Sequence, residues 1–124
     1  MTRTQDKVML DKRAIARAAH MLGDTWALLI ISELINGSRR FGEIQEALEK
    51  ISSQTLTNRL KMLEKYGFVV REAFLEIPPR VEYHLTDNGI AVEAILRSLA
   101  EFGAEYMPEP ETPLCTDVET EHDT

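Results

Sequence analysis

The chain has 124 residues, 44% of them hydrophobic and 28% charged, with one cysteine and a formal net charge of -7. That length holds one compact domain with an apolar core and little room for a second, and a single thiol excludes both an internal disulfide and a cysteine-built zinc site. The longest apolar stretch, Trp26 to Ile35 interrupted by Ser32 and Glu33, is far shorter than the roughly 20 residues a membrane crossing needs, and the N-terminus carries no export signal, so we expect no membrane partner and a cytoplasmic protein.

The first ten residues lack periodicity and read as a flexible arm. From Asp11, the spacing of Ile15, Ala18, Ala19 and Leu22 predicts a helix that Asp11 caps and Gly23 closes as a left-handed residue. Asp24 caps the next helix, TWALLIISELI, which is apolar on nearly every side and so reads as the one the others pack around; Asn36-Gly37 stops it. Phe41, Ile44 and Leu48 predict a short third helix exposing Glu43, Glu46 and Glu49, a poor face for DNA. Ile51, Ser52 and Leu56 then form a hydrophobic staple around an N-cap. The fourth helix continues through Leu60 and Leu63 to Gly67 and exposes Ser53, Gln54, Thr57, Asn58 and Lys61.

After Gly67 the period drops to about 2. Phe68, Val70 and Phe74 share one face of a strand and Val69 and Arg71 the other. Glu76-Ile77-Pro78-Pro79 breaks it, since proline donates no ladder bond, and Val81, Tyr83 and Leu85 alternate with Arg80, Glu82 and His84 in a returning strand. Thr86 caps the last helix, in which Val92, Ile95, Leu96, Leu99, Phe102 and Tyr106 keep helical spacing. Pro108, Pro110 and Pro113 end order, and residues 107–124 have the composition of an acidic disordered tail.

The acidity is unevenly spread. Residues 107–124 hold six acids and no Lys or Arg, leaving 14 bases and 15 acids in residues 1–106, and the segment from Ser38 to Arg80 is net positive with eight bases against six acids. Short helices, a longer one with a polar outer face and then a hairpin make the order of a winged helix-turn-helix: an α+β, mostly helical fold with a two-stranded wing and a long C-terminal helix. Its domain spans residues 11–106. The fourth helix, about 20 Å long at about 1.5 Å per residue, suits a major groove. Gln54 and Asn58 can bond an adenine edge, Ser53 and Thr57 a base or a phosphate, and Lys61 adds charge, while the first-turn N–H groups suit a phosphate. A plain solvated helix also turns polar residues outward, although Ser, Thr and Asn are weak helix formers there. Arg80 at the hairpin tip, with Arg39 and Arg40 before the third helix, is a candidate phosphate contact or an ordinary surface charge.

The stretches RRFGEI (39–44), ISSQTLTNRLKMLEKYGFVVR (51–71) and IPPRVEYHLTDNG (77–89) resemble the HxlR family of winged-helix transcriptional regulators over residues 11 to about 106. The resemblance implies a homodimer on double-stranded operator DNA, with the fourth helix in the major groove and the hairpin as wing. It also implies a subunit interface built from the first and last helices, here Ile15, Leu22, Val92, Ile95, Leu99, Phe102 and Tyr106. The same stripe also fits an intramolecular core. Two departures stand out. Lys12-Arg13 occupies about the place where many members carry a Cys-Pro pair, which removes a thiol sensor there, and the usual Gly-Gly-Lys-Trp turn is Gly23-Asp24-Thr25-Trp26. Cys115, among tail acids that raise a thiol pKa, makes a poor sensor.

His20, His84 and His122 show no metal spacing, and no phosphate loop or nucleophile elbow appears, so we expect neither a cofactor nor an enzyme. The rival class is a winged-helix protein-interaction module that does not read DNA. A small-molecule effector in a pocket near Trp26 at the dimer interface, with Trp26 as plain core the simpler alternative, and a tail that competes with DNA, are further expectations. Repression is the more economical mode, since occupancy alone blocks a promoter.

Overall fold

The computed structural model describes residues 7–109; the tail beyond, with Cys115 and His122, and the first six residues of the expected arm lie outside the described residues. Six helices and one hairpin follow in the order α1 (Lys12–Leu22), α2 (Thr25–Leu34), α3 (Phe41–Leu48), α4 (Ser53–Lys65), β1 (Val69–Phe74), β2 (Arg80–Leu85), α5 (Asp87–Ala91) and α6 (Glu93–Tyr106). No single described helix is long and apolar enough to cross a membrane.

The caps form where the side chains demand them. Asp11 Oδ1 accepts from the N–H groups of Arg13 and Ala14, both at 3.1 Å, and Asp24 Oδ2 accepts from Ala27 N at 2.9 Å. Ser52 Oγ accepts from Thr55 N at 3.0 Å while Ile51 and Leu56 are buried beside it, completing the staple that opens α4. At the other end Gly67 stands at φ 83°, its N–H donates to Glu64 O and that of Phe68 donates to Leu63 O, the two bonds of a Schellman motif.

Helix α2 is the hub: Trp26, Ala27, Ile30, Ile31 and Leu34 are buried among Ile44 and Leu48 of α3, Leu56, Leu60 and Leu63 of α4, and Tyr83 and Leu85 of β2. The antiparallel hairpin pairs Val69 with Leu85 and Phe74 with Arg80, and Arg39 extends it by exchanging both backbone bonds with Tyr83, at 3.0 and 2.8 Å. In β1 the core residue is Val69, while Val70 is exposed, because Val69 shares the inward face with Leu85 and Tyr83.

Two local expectations are corrected. Gly23 is right-handed, at φ -79° and ψ -3°; glycine is needed there because a Cβ would stand 2.6 Å from the Ala19 carbonyl oxygen. The last helix is two helices, parted at Val92, whose side chain is 3% exposed and belongs to the core. Val92 is therefore spent inside its own subunit and is withdrawn from the expected partner surface. Thr86 caps the helix after the hairpin as expected and also makes a junction: its Oγ1 accepts from Gly89 N at 3.1 Å and donates to Gly67 O at 2.6 Å, and a Cβ on Gly89 would meet Phe68 O at 2.3 Å. The root of the wing is clamped to the end of α4 through this contact, not merely capped.

Candidate nucleic-acid interface

Helices α3 and α4 form the helix-turn-helix. The leucines of α4 turn fully inward, and Ser53, Gln54, Asn58 and Lys61 stand exposed on the opposite side with Thr57 half-buried at its margin. No described element covers that surface. The polar face is partly organised already. Gln54 Nε2 donates to Asn58 Oδ1 at 3.4 Å, a loose pairing one helical turn apart, and Gln45 of α3 donates to Ser53 Oγ at 3.0 Å and to Ile51 O at 3.3 Å. Ser53 is thus half engaged in holding the start of α4.

Arg40 is exposed at the entry to α3, where its N–H donates to Glu43 Oε1 at 2.8 Å, and Arg39 Nη1 donates to Ser38 O at 3.0 Å. Neither guanidinium has an acid within ion-pair distance among the described residues. Arg80 is different. It bonds Glu76 at 2.9 Å and Glu82 at 3.2 Å and lies over the Phe74 ring at 4.0 Å from the centroid. In the free protein the expected cation at the wing tip is a strut inside the hairpin, compensated by Glu82, two positions along the same strand face, and by Glu76, which the turn returns to it. The outer wing face carries Glu72 directly opposite Glu82, with His84 Nδ1 3.8 Å from Glu72.

Sequence reasoning missed one contact. Arg59 Nε donates to Asp24 Oδ2 at 2.8 Å, joining α4 to the start of α2 with both side chains mostly buried. Asp24 was legible as a cap, but its second partner lies 35 positions away.

Of the residues expected at a subunit interface, Ile15, Ile95, Leu99, Phe102 and Tyr106 are exposed, Leu22 is half-buried against the core, and Val92 is inside it. Phe102 and Tyr106 are 54% and 64% exposed, with ring centroids 4.9 Å apart. Trp26 is fully buried and lines neither open groove beside it, one of about 800 Å³ between α1 and the α4–β1 junction and one of about 680 Å³ between α2 and α6. Trp26 itself is core packing. Among the described residues no group of three His, Cys, Asp or Glu side chains converges to hold a metal.

Comparison with known proteins bears on this geometry. The family model described as HxlR-like helix-turn-helix matches residues 21–111. The HTH-type transcriptional regulator sll1512 of Synechocystis sp. is 38% identical over 93 residues, covering 75% of this chain and 69% of that protein. The HTH-type transcriptional regulator YvaP of Bacillus subtilis is 42% identical over 91 residues, covering 73% and 84%. The reduced form of the transcriptional regulator YodB from B. subtilis superposes with a TM-score of 0.70 at 35% identity, covering 80% of this chain and 95% of that one.

Proposed function

The chain belongs to the HxlR-like helix-turn-helix family of transcriptional regulators, and from that premise we propose that it acts as a homodimeric repressor. In this reading α4 enters the major groove of operator DNA in each half-site. The observation that carries it is the uncovered face of Ser53, Gln54, Asn58 and Lys61 on a helix whose leucines are all buried. Amides at Gln54 and Asn58 supply direct base readout; Lys61, Arg39 and Arg40 supply backbone charge.

The second copy is supported by helices that have too little of their own chain to pack on. In α1 only Met21 is buried, and in α6 no residue is. Isolated helices of these lengths are marginal in water, so the apolar stripe of Ile15, Ile95, Leu99, Phe102 and Tyr106 is best explained by an isologous contact with the same stripe. Two reading heads would then address half-sites about 34–36 Å apart. An effector of small-molecule size would find room in the groove beside α1 rather than at Trp26. The acidic outer wing face favours a second reading, a winged-helix module that docks a basic protein partner instead of DNA.

The test is to select duplexes from a random pool with the wild-type protein and measure binding by fluorescence anisotropy. Gln54→Ala and Asn58→Ala should each lose about 1–3 kcal/mol, concentrated at one base-pair position, while sedimentation reports two chains. Equal binding by all three proteins refutes the reading head, and a monomer refutes the assembly.

A further inference from the structure

Besides the Thr86 clamp at its end, side-chain bonds hold the reading helix at its start and its middle. Gln45 grips its first turn through Ser53, and Arg59 grips its middle through Asp24. Asp24 Oδ2 does two things with one atom: it caps α2 through Ala27 N at 2.9 Å and accepts from Arg59 Nε at 2.8 Å. Arg59 is on α4 but not on its reading face. At about 100° per residue it is turned away from Asn58 toward α2, and its side chain is 19% exposed against 18% for Asp24.

The location of Asp24 gives the contact its meaning. Helices α1 and α2 meet at 76° across Gly23 and Asp24 alone. The joint is tight: Gly23 N donates to Ala19 O at 2.8 Å, Asp24 N to Met21 O at 3.3 Å, and no Cβ fits at Gly23. The direction of α1, a helix with a single buried residue, is thereby set by the same residue that holds α4. A charge-assisted bond with both partners mostly buried is directional and short, so it adds a directional constraint on roll of α4 about its axis to that of the packed leucines.

We propose that Asp24 and Arg59 are a positioning pair that fixes the reading helix relative to α1, which carries Ile15 of the proposed partner surface, so that sequence discrimination, and not phosphate affinity, depends on it. The proposal rests on the DNA-reading function above. In a dimer, a change in the roll of α4 moves both sets of Gln54 and Asn58 amides off the base edges. Bidentate readout has narrow angular tolerance, whereas phosphate attraction does not. The pair thus acts through the residues that touch DNA, without touching it.

The experiment uses the full chain, a duplex selected from a random pool by the wild-type protein, and the same duplex with its sequence scrambled. Asp24→Asn keeps a good N-cap and removes the charge, while Arg59→Gln removes the other partner. Each is expected to lower the ratio of selected to scrambled affinity about tenfold, with the double variant no worse than either single one. Scrambled-duplex affinity and the salt slope should hold. An unchanged ratio in Asp24→Asn overturns the proposal. So does a parallel loss on both duplexes in Arg59→Gln with a shallower salt slope, which would make Arg59 a phosphate ligand. Deuterium exchange without DNA separates the two ideas: amides of residues 56–65 should exchange about tenfold faster in both variants, with α3 unaffected. Faster exchange in a protein whose wild type selects no sequence would sink the DNA-reading function while leaving the pair as the anchor of α4. Unchanged exchange sinks the pair whatever the DNA result.

Discussion

Raising the salt concentration is expected to weaken operator binding along a slope gentler than the sequence alone implies. Arg39, Arg40, Lys61 and Arg80 nominate four cations per subunit, hence about eight phosphates for a dimer and a slope of log affinity on log salt near -7. In the free protein Glu76 at 2.9 Å and Glu82 at 3.2 Å already compensate Arg80, so we leave it out of that set. About six phosphates remain, which gives a slope of about -5 and a loss of about a thousandfold between roughly 50 and 200 mM salt. Fluorescence anisotropy on the selected duplex measures this directly. Arg40→Ala should flatten the slope by about 2, one phosphate for each subunit, and Arg80→Gln should leave it unchanged while loosening the hairpin. If Arg80→Gln flattens the slope as much as Arg40→Ala does, the ion pairs open on DNA and the strut argument is wrong. A slope near zero in the wild type removes phosphate neutralisation altogether and leaves the protein-docking module as the better reading.

Two glycines separate torsion from collision. Gly67 at φ 83° has open space for a Cβ, so Gly67→Ala should cost about 1 kcal/mol net of unfolded-state entropy, a fall in Tm of about 4–8 °C, and Gly67→Asn should recover much of it. At Gly89 a Cβ meets Phe68 O at 2.3 Å, so Ala and Asn should both cost more than about 2 kcal/mol; calorimetry showing Asn rescue at both sites would contradict the distinction. Phe102→Glu places a charge on the apolar stripe of α6 and is expected to give monomers by sedimentation, with selected-duplex affinity reduced at least about tenfold; a dimer that persists would put the interface elsewhere. Deleting residues 107–124 removes six carboxylates and no Lys or Arg, and should tighten scrambled-duplex binding at low salt; unchanged binding there discards electrostatic competition by the tail.

The local elements were written plainly in the chain. The leucine period of α4, the Ile51-Ser52-Leu56 staple, Gly67 as its stop, and the alternation of Val81, Tyr83 and Leu85 all act within a few residues, where torsional preference and side-chain direction settle the outcome. The outward set of Ser53, Gln54, Asn58 and Lys61 followed from the same geometry. What tertiary structure decided is everything that depends on which distant surfaces meet. Val92 sits on the apolar stripe of a helix by spacing, but the break between α5 and α6 turns it into the core. Gly89 is a glycine because the distant backbone of Phe68 passes within reach of a Cβ. Glu82 lies two positions along the same strand face as Arg80, but only the hairpin returns Glu76 to that arginine and sets the Phe74 ring beneath it. Arg59 and Asp24, 35 positions apart, share no local pattern, and only the packing of α4 against α2 brings their charges together where little water screens them.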